Sequence, residues 1–177
     1  MTEPRREVVA LAAPPVHQAT VVRADVTRTF DVFVREIGIW WPVDPFSVGG
    51  ERVRDVTVEP RLGGNVVETW DDGTTQVWGE LIAWDPPHGF TMSWLLTPQP
   101  TEVEVTFRSL GAALTRVSVE HRGWERMTEE QLGGACALPE GYRGGSYVRG
   151  WGMIFEQLVA RVEGGRREGR RALGART

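Results

Sequence analysis

From Val53 to Arg122 apolar residues recur at every second position, and only turns built on Gly, Pro or Asp-Gly break the run. A period of two over that length means strand after strand with short connections, hence an antiparallel sheet. Val56 and Val58 alternate with Thr57 and Glu59, and Asn65 to Trp70 and Thr75 to Trp84 flank Asp71-Asp72-Gly73-Thr74. Phe90, Met92 and Trp94 alternate next, then Val103, Val105 and Phe107, then Thr115, Val117, Val119 and His121. Asp-Gly between two strand patterns is a strong hairpin signal. With Asp72 and Gly73 as the turn, Asp71 pairs with Thr74 and Glu68 with Val77. That register puts Val66, Glu68 and Trp70 on one face with Val77, Gly79, Leu81 and Ala83. Trp78, Ile82 and Trp84 take the other.

Helical patterns bracket the strands. His17 to Asp25 reads as a first strand; Phe30, Phe33, Val34 and Ile37 then follow helical spacing, with Asp25 or Thr27 as cap and Gly38 as stop. After a Gly-, Glu- and Pro-rich stretch over 125–145, Trp151, Ile154, Phe155, Leu158 and Val162 form one apolar stripe ended by Gly164-Gly165. One long helix must bury its stripe against one sheet face. The expected class is therefore α+β, a curved antiparallel sheet wrapped around a C-terminal helix. A concave sheet over a straight helix leaves a gap suited to a ligand. Trp40 and Trp41 cannot share one helix face, so at least one is expected at a rim or over a pocket. Residues 1–16 read as a tail, 17–164 as the domain, and 165–177 as a basic, solvated tail.

Composition removes much of enzyme chemistry. The 20 basic residues are all Arg, against 24 acidic ones, giving a net charge of −4. A nucleic-acid footprint is not expected, nor is any lysine-based mechanism. Cys136 is the one cysteine, which excludes internal disulfides and cysteine-rich zinc sites. His17 and His88 have no second ligand at metal spacing, so neither a metal nor a cofactor is expected. No apolar run approaches the ~18 residues of a membrane span, which points to a cytoplasmic protein.

Two polar residues fall on faces read as inward, Glu68 and His121. Each suits a general acid–base group or a ligand contact. Each also suits a structural role, Glu68 paired with an Arg and His121 hydrogen-bonded in the core. Trp41, Trp70, Trp94 and Trp151, with Phe33, Met92 and Phe155, are the expected apolar lining of the gap, with core packing as the competing role for each.

The order and spacing of several short motifs carry a resemblance. They are Gly63-Gly64, Glu68, Asp72-Gly73, Trp78-Gly79-Glu80-Leu81, Trp84-Asp85-Pro86-Pro87 and Trp94. Thr101 through Phe107, Thr115-Arg116-Val117, Glu120-His121-Arg122-Gly123-Trp124 and Gly150-Trp151 continue the set. Over about residues 17–162 the chain resembles bacterial proteins related to the C-terminal domain of the activator of Hsp90 ATPase, in the START-like (SRPBCC) superfamily. The resemblance implies a helix-grip fold with a cavity between sheet and C-terminal helix. Superfamily members bind lipids, hydrophobic metabolites or partner proteins, and some act as cyclases, so fold alone does not fix activity. The expected function is a module binding a small hydrophobic or aromatic ligand. A cyclase- or hydratase-like enzyme using Glu68 and His121, and a chaperone partner of the Hsp90 type, are the alternatives; a homodimer is left open. The stretch from Met127 to Ser146 is longer and more Gly-rich than the resemblance leads one to expect.

Overall fold

The computed structural model describes residues 13–134 and 137–174, with side chains described through residue 165. Cys136, most of the N-terminal tail and the side chains of the Arg-rich tail lie outside the described residues. Strands β1 (Val16–Val22), β2 (Val53–Val58), β3 (Asn65–Trp70), β4 (Thr75–Asp85), β5 (Gly89–Trp94), β6 (Thr101–Gly111) and β7 (Leu114–Arg122) form one antiparallel sheet. Its order is β1-β7-β6-β5-β4-β3-β2. β2 to β7 run as a meander, and β1 pairs with β7 at the far edge. The curled sheet wraps the long helix α5 (Ser146–Gly174), the helix-grip arrangement.

Helix α5 is held by the stripe read from its sequence. Trp151, Ile154, Phe155, Leu158 and Val162 are all buried. At roughly 1.5–3 kcal/mol for each side chain, that burial outweighs the ~1 kcal/mol helix cost of each interior glycine. The backbone stays helical through Gly164-Gly165 to Gly174, so these glycines do not end the helix. The residues after them are mostly good helix formers, Arg, Glu, Ala and Leu.

Helix α1 (Val26–Arg35) starts where Asp25 accepts the Arg28 N–H at 2.9 Å. Its Phe30, Phe33 and Val34 enter the core. The helix ends at Arg35 rather than at Gly38, and a second helical turn, α2 (Ile37–Trp40), follows. Gly38 has a different role from the expected stop. A Cβ there would lie 2.1 Å from Asp55 Oδ1 and 2.8 Å from the Val56 carbonyl, so the missing side chain lets α2 rest on β2.

The β3–β4 hairpin differs in register from the sequence reading. Its loop has three residues, not two: Gly73 N–H donates to Trp70 O at 3.0 Å, and Trp70 N–H to Thr74 O at 2.8 Å. Gly73 closes that loop at φ 84°, a conformation glycine adopts without strain. Glu68 therefore faces Gln76 rather than Val77, and Trp78 shares its face. A bulge beyond Val67 restores the expected pairing of Val66 with Gly79. A second, between Leu81 and Ala83, turns Trp84 inward onto Phe30, with ring centroids 5.4 Å apart. Each extra residue reverses which face follows, because the side-chain period is two.

The segment over 125–145 carries a short helix, α4 (Glu129–Gly134). Thr128 and Gln131 cap it reciprocally, Gln131 N–H to Thr128 Oγ1 at 3.2 Å and Thr128 N–H to Gln131 Oε1 at 3.0 Å. Leu132 is its buried anchor.

Candidate functional site

Where sheet, α5 and the loop after α2 fail to meet lies a cavity of about 450 Å³. Trp94, at the end of β5, and His121, near the end of β7, come from the sheet. Tyr147, Gly150, Trp151 and Ile154 come from α5. Trp41 and a further helical turn, α3 (Val43–Phe46), with Ser47 and Val48 after it, supply the third wall. Gly134 and Ala137, from the stretch around α4, lie at the edge. Trp94 and Trp151 stand 6.1 Å apart between ring centroids, and Trp41 and Trp151 6.4 Å. None of the lining residues is Asp, Glu, Lys or Arg.

Of the nine residues expected at a ligand site, Trp41, Trp94, His121 and Trp151 line this cavity. Phe33 and Met92 border only a sliver of about 20 Å³ beneath it and are packed core. Phe155 is buried on α5 one helical turn beyond Trp151, against which its ring rests at 6.2 Å. Trp70 lies outside the cavity lining, with the Arg52 guanidinium 4.1 Å above its ring. Of the adjacent tryptophans, Trp40 turns into the core and donates to the Val32 carbonyl at 3.1 Å, whereas Trp41 covers the cavity; both are buried.

Glu68 is fully buried and does not line the cavity. Its Oε1 accepts from Gly49 N–H and Trp70 Nε1–H, each at 2.6 Å, and its Oε2 from Trp78 Nε1–H at 3.0 Å and Val48 N–H at 3.1 Å. Among the described residues no Arg pairs with it; four neutral donors solvate the carboxylate instead. Two of those donors belong to the loop that carries Ser47 and Val48. Glu68 therefore fastens one wall of the cavity to the sheet, with both of its oxygens taken up by those four donors.

His121 is also fully committed. Trp151 Nε1–H points to its Nδ1 at 3.4 Å, and its Nε2 lies 2.8 Å from Thr101 Oγ1. Thr101 Oγ1 is 3.1 Å from Thr97 Oγ1, which donates to the Gln99 carbonyl at 2.8 Å. An indole N–H can only donate and a carbonyl can only accept. The chain therefore has one consistent direction, with the proton on His121 Nε2. Trp124 packs against the ring at a tilt of 50°, with centroids 4.3 Å apart, and donates its Nε1–H to the His121 carbonyl at 2.6 Å.

Burial holds the His121 pKa down at about 3, from an ordinary 6.5. The unfolded chain takes up this proton near pH 6.5 and the folded chain only near pH 3, so protonation favours unfolding in between. The contribution is intact above pH 6.5 and is lost as pH falls toward 3. His121→Gln should therefore have a shallower acid limb in stability against pH, by up to about 1.4 kcal/mol per pH unit. Denaturant melts across that range measure it; coincident acid limbs would mean that the ring protonates freely in the folded protein.

The sequence reading did not single out Phe46, Ser47, Val48, Tyr147 or Ile154 as lining. Ile154 lay on the recognised helix stripe, but nothing local told cavity from core. The others sit in loops or at a helix start, where no periodicity speaks. Thr128-Glu129-Glu130-Gln131 is a capping-box signature that would have marked α4 and so the cavity edge.

Residues 24–163 match the family described as Activator of Hsp90 ATPase homolog 1-like protein. No match is found among curated proteins. Among solved structures, the self-sacrificing resistance protein CalC from Micromonospora echinospora is 23% identical at TM-score 0.58, covering 85% of this chain and 95% of its own. A protein from Rhodobacter sphaeroides is 16% identical at TM-score 0.60, covering 86% and 94%. At those identities the likeness bears on the fold. The anthrahydroquino-γ-pyrone synthase Txn09 is 36% identical over 61% of this chain and 75% of its own, at TM-score 0.47. Among the described residues, no helix is long and apolar enough to cross a membrane.

Proposed function

The chain belongs to the Activator of Hsp90 ATPase homolog 1-like family, and on that footing we propose that it binds a small, uncharged, largely apolar molecule between its sheet and α5. The observation that carries this reading is the cavity of about 450 Å³, walled by aromatic rings and free of charged side chains. That volume lies within the range of small-molecule sites. Binding without catalysis is the reading favoured by the two polar candidates. The carboxylate of Glu68 is saturated by four N–H groups, and neutral His121 has both ring nitrogens engaged.

Titration with the neutral dye N-phenyl-1-naphthylamine tests the reading. A saturable one-to-one rise in dye fluorescence is expected. Ile154→Trp, which puts an indole where a buried cavity-lining side chain stands, should weaken binding by about tenfold or more. Circular dichroism checks that the variant is folded. A rise that does not saturate, or equal affinity in the two proteins, would remove the reading and favour a protein partner, the other role that the family description suggests.

A further inference from the structure

Among the described residues, three buried side-chain polar atoms have no partner in the protein: Arg28 Nε, Trp41 Nε1 and Ser47 Oγ. Arg28 is on α1, away from the cavity. The other two belong to residues that both line it. A buried, unmet donor costs about 1–3 kcal/mol, and polar groups at that burial are nearly always satisfied. Trp41 is 7% exposed, so bulk solvent does not offset the cost. Of the other tryptophans in or beside the wall, Trp151 gives its N–H to His121, and Trp70 and Trp78 give theirs to Glu68; Trp94 is partly exposed.

We propose that Trp41 Nε1–H and the Ser47 hydroxyl are the polar anchor of the cavity, donating together to one oxygen of a neutral, flat aromatic ligand: a ketone, quinone or phenol. This rests on the cavity being a ligand site. The indole can only donate, so the ligand must present an acceptor, and a carbonyl oxygen has two lone pairs for two donors. The rings of Trp41, Trp94, Trp151, Phe46 and Tyr147 around it favour a flat, apolar body. An ionised ligand would enter a wall with no counter-charge, and His121 is neutral there.

Paired probes that share a carbon frame, 9-fluorenone with its ketone and fluorene without it, separate this from the general reading. In calorimetry, fluorenone should bind the full-length protein about tenfold more tightly than fluorene. Trp41→Phe and Ser47→Ala should each reduce the ratio of the two affinities to about threefold or less, whatever either substitution does to fluorene binding itself. In ¹⁵N-correlated NMR spectra the chain has 8 indole groups. The peak missing in W41F should move downfield with fluorenone and much less with fluorene, while the remaining peaks report that the variant is folded. Equal affinity of the two probes for the native protein, or a preference that survives both substitutions, would overturn the donor pair and leave the cavity reading standing. Binding of neither probe would remove both.

Discussion

Glu68→Ala should lower folding stability by about 4–5 kcal/mol, a large part of what a domain of this size has in reserve. The carboxylate is fully buried, and its loss strands two backbone and two indole N–H groups at once. Each stranded donor costs about 1–3 kcal/mol, less whatever water can reach it. Glu68→Gln should cost about 2–3 kcal/mol, because one amide oxygen still accepts while its NH₂ meets donors head-on. Ligand affinity should fall as well, since Val48 and Gly49 belong to the cavity wall or adjoin it. Urea denaturation with an unchanged m-value measures the loss. A cost below about 1 kcal/mol in both variants would mean that the four-donor clasp is not formed in solution.

Trp124→Ala should cost about 4 kcal/mol, while Trp94→Ala should cost only about 1–2 kcal/mol. Trp124 has no exposed surface and packs on His121, Tyr142 and Tyr147 at centroid distances of 4.3, 5.1 and 4.3 Å. Trp94 is only half-buried and borders space that is already empty. Truncating it enlarges a void rather than opening one in packed core. Ligand binding should show the reverse order, with Trp94→Ala the more harmful. Equal stability losses for the two variants would place Trp94 in solid core and shrink the cavity.

The parts legible in the sequence are those where one rule acts alone. Alternation gave the strands from Val53 to Arg122, and the stripe from Trp151 to Val162 gave the gripping helix. Trp41, Trp94 and Trp151 were legible as aromatic lining, whereas Glu68, expected beside them, lies outside the cavity. Register failed at the tip of the β3–β4 hairpin because one extra loop residue shifts the pairing by one until the bulge between Val66 and Val67 restores it. The two-residue turn put Trp78 on the other face of the sheet from Glu68, when the two are in fact hydrogen-bonded at 3.0 Å. The role of Glu68 was hidden for a further reason: its partners Val48 and Gly49 offer backbone N–H groups, which carry no residue signature. Core and cavity share one apolar alphabet, so Phe33, Met92 and Phe155 could not be told from Trp41, Trp94 and Trp151 by pattern. Only the placement of the loop over 41–48 decides which rings face empty space.

Native mass spectrometry of the protein purified from its own host bears most directly on whether the gap between sheet and helix is occupied space. A single non-covalent adduct of one small neutral molecule, absent from the Ile154→Trp protein, is the predicted spectrum. Bare chain mass, with no adduct retained and none gained from saturating 9-fluorenone, would contradict it.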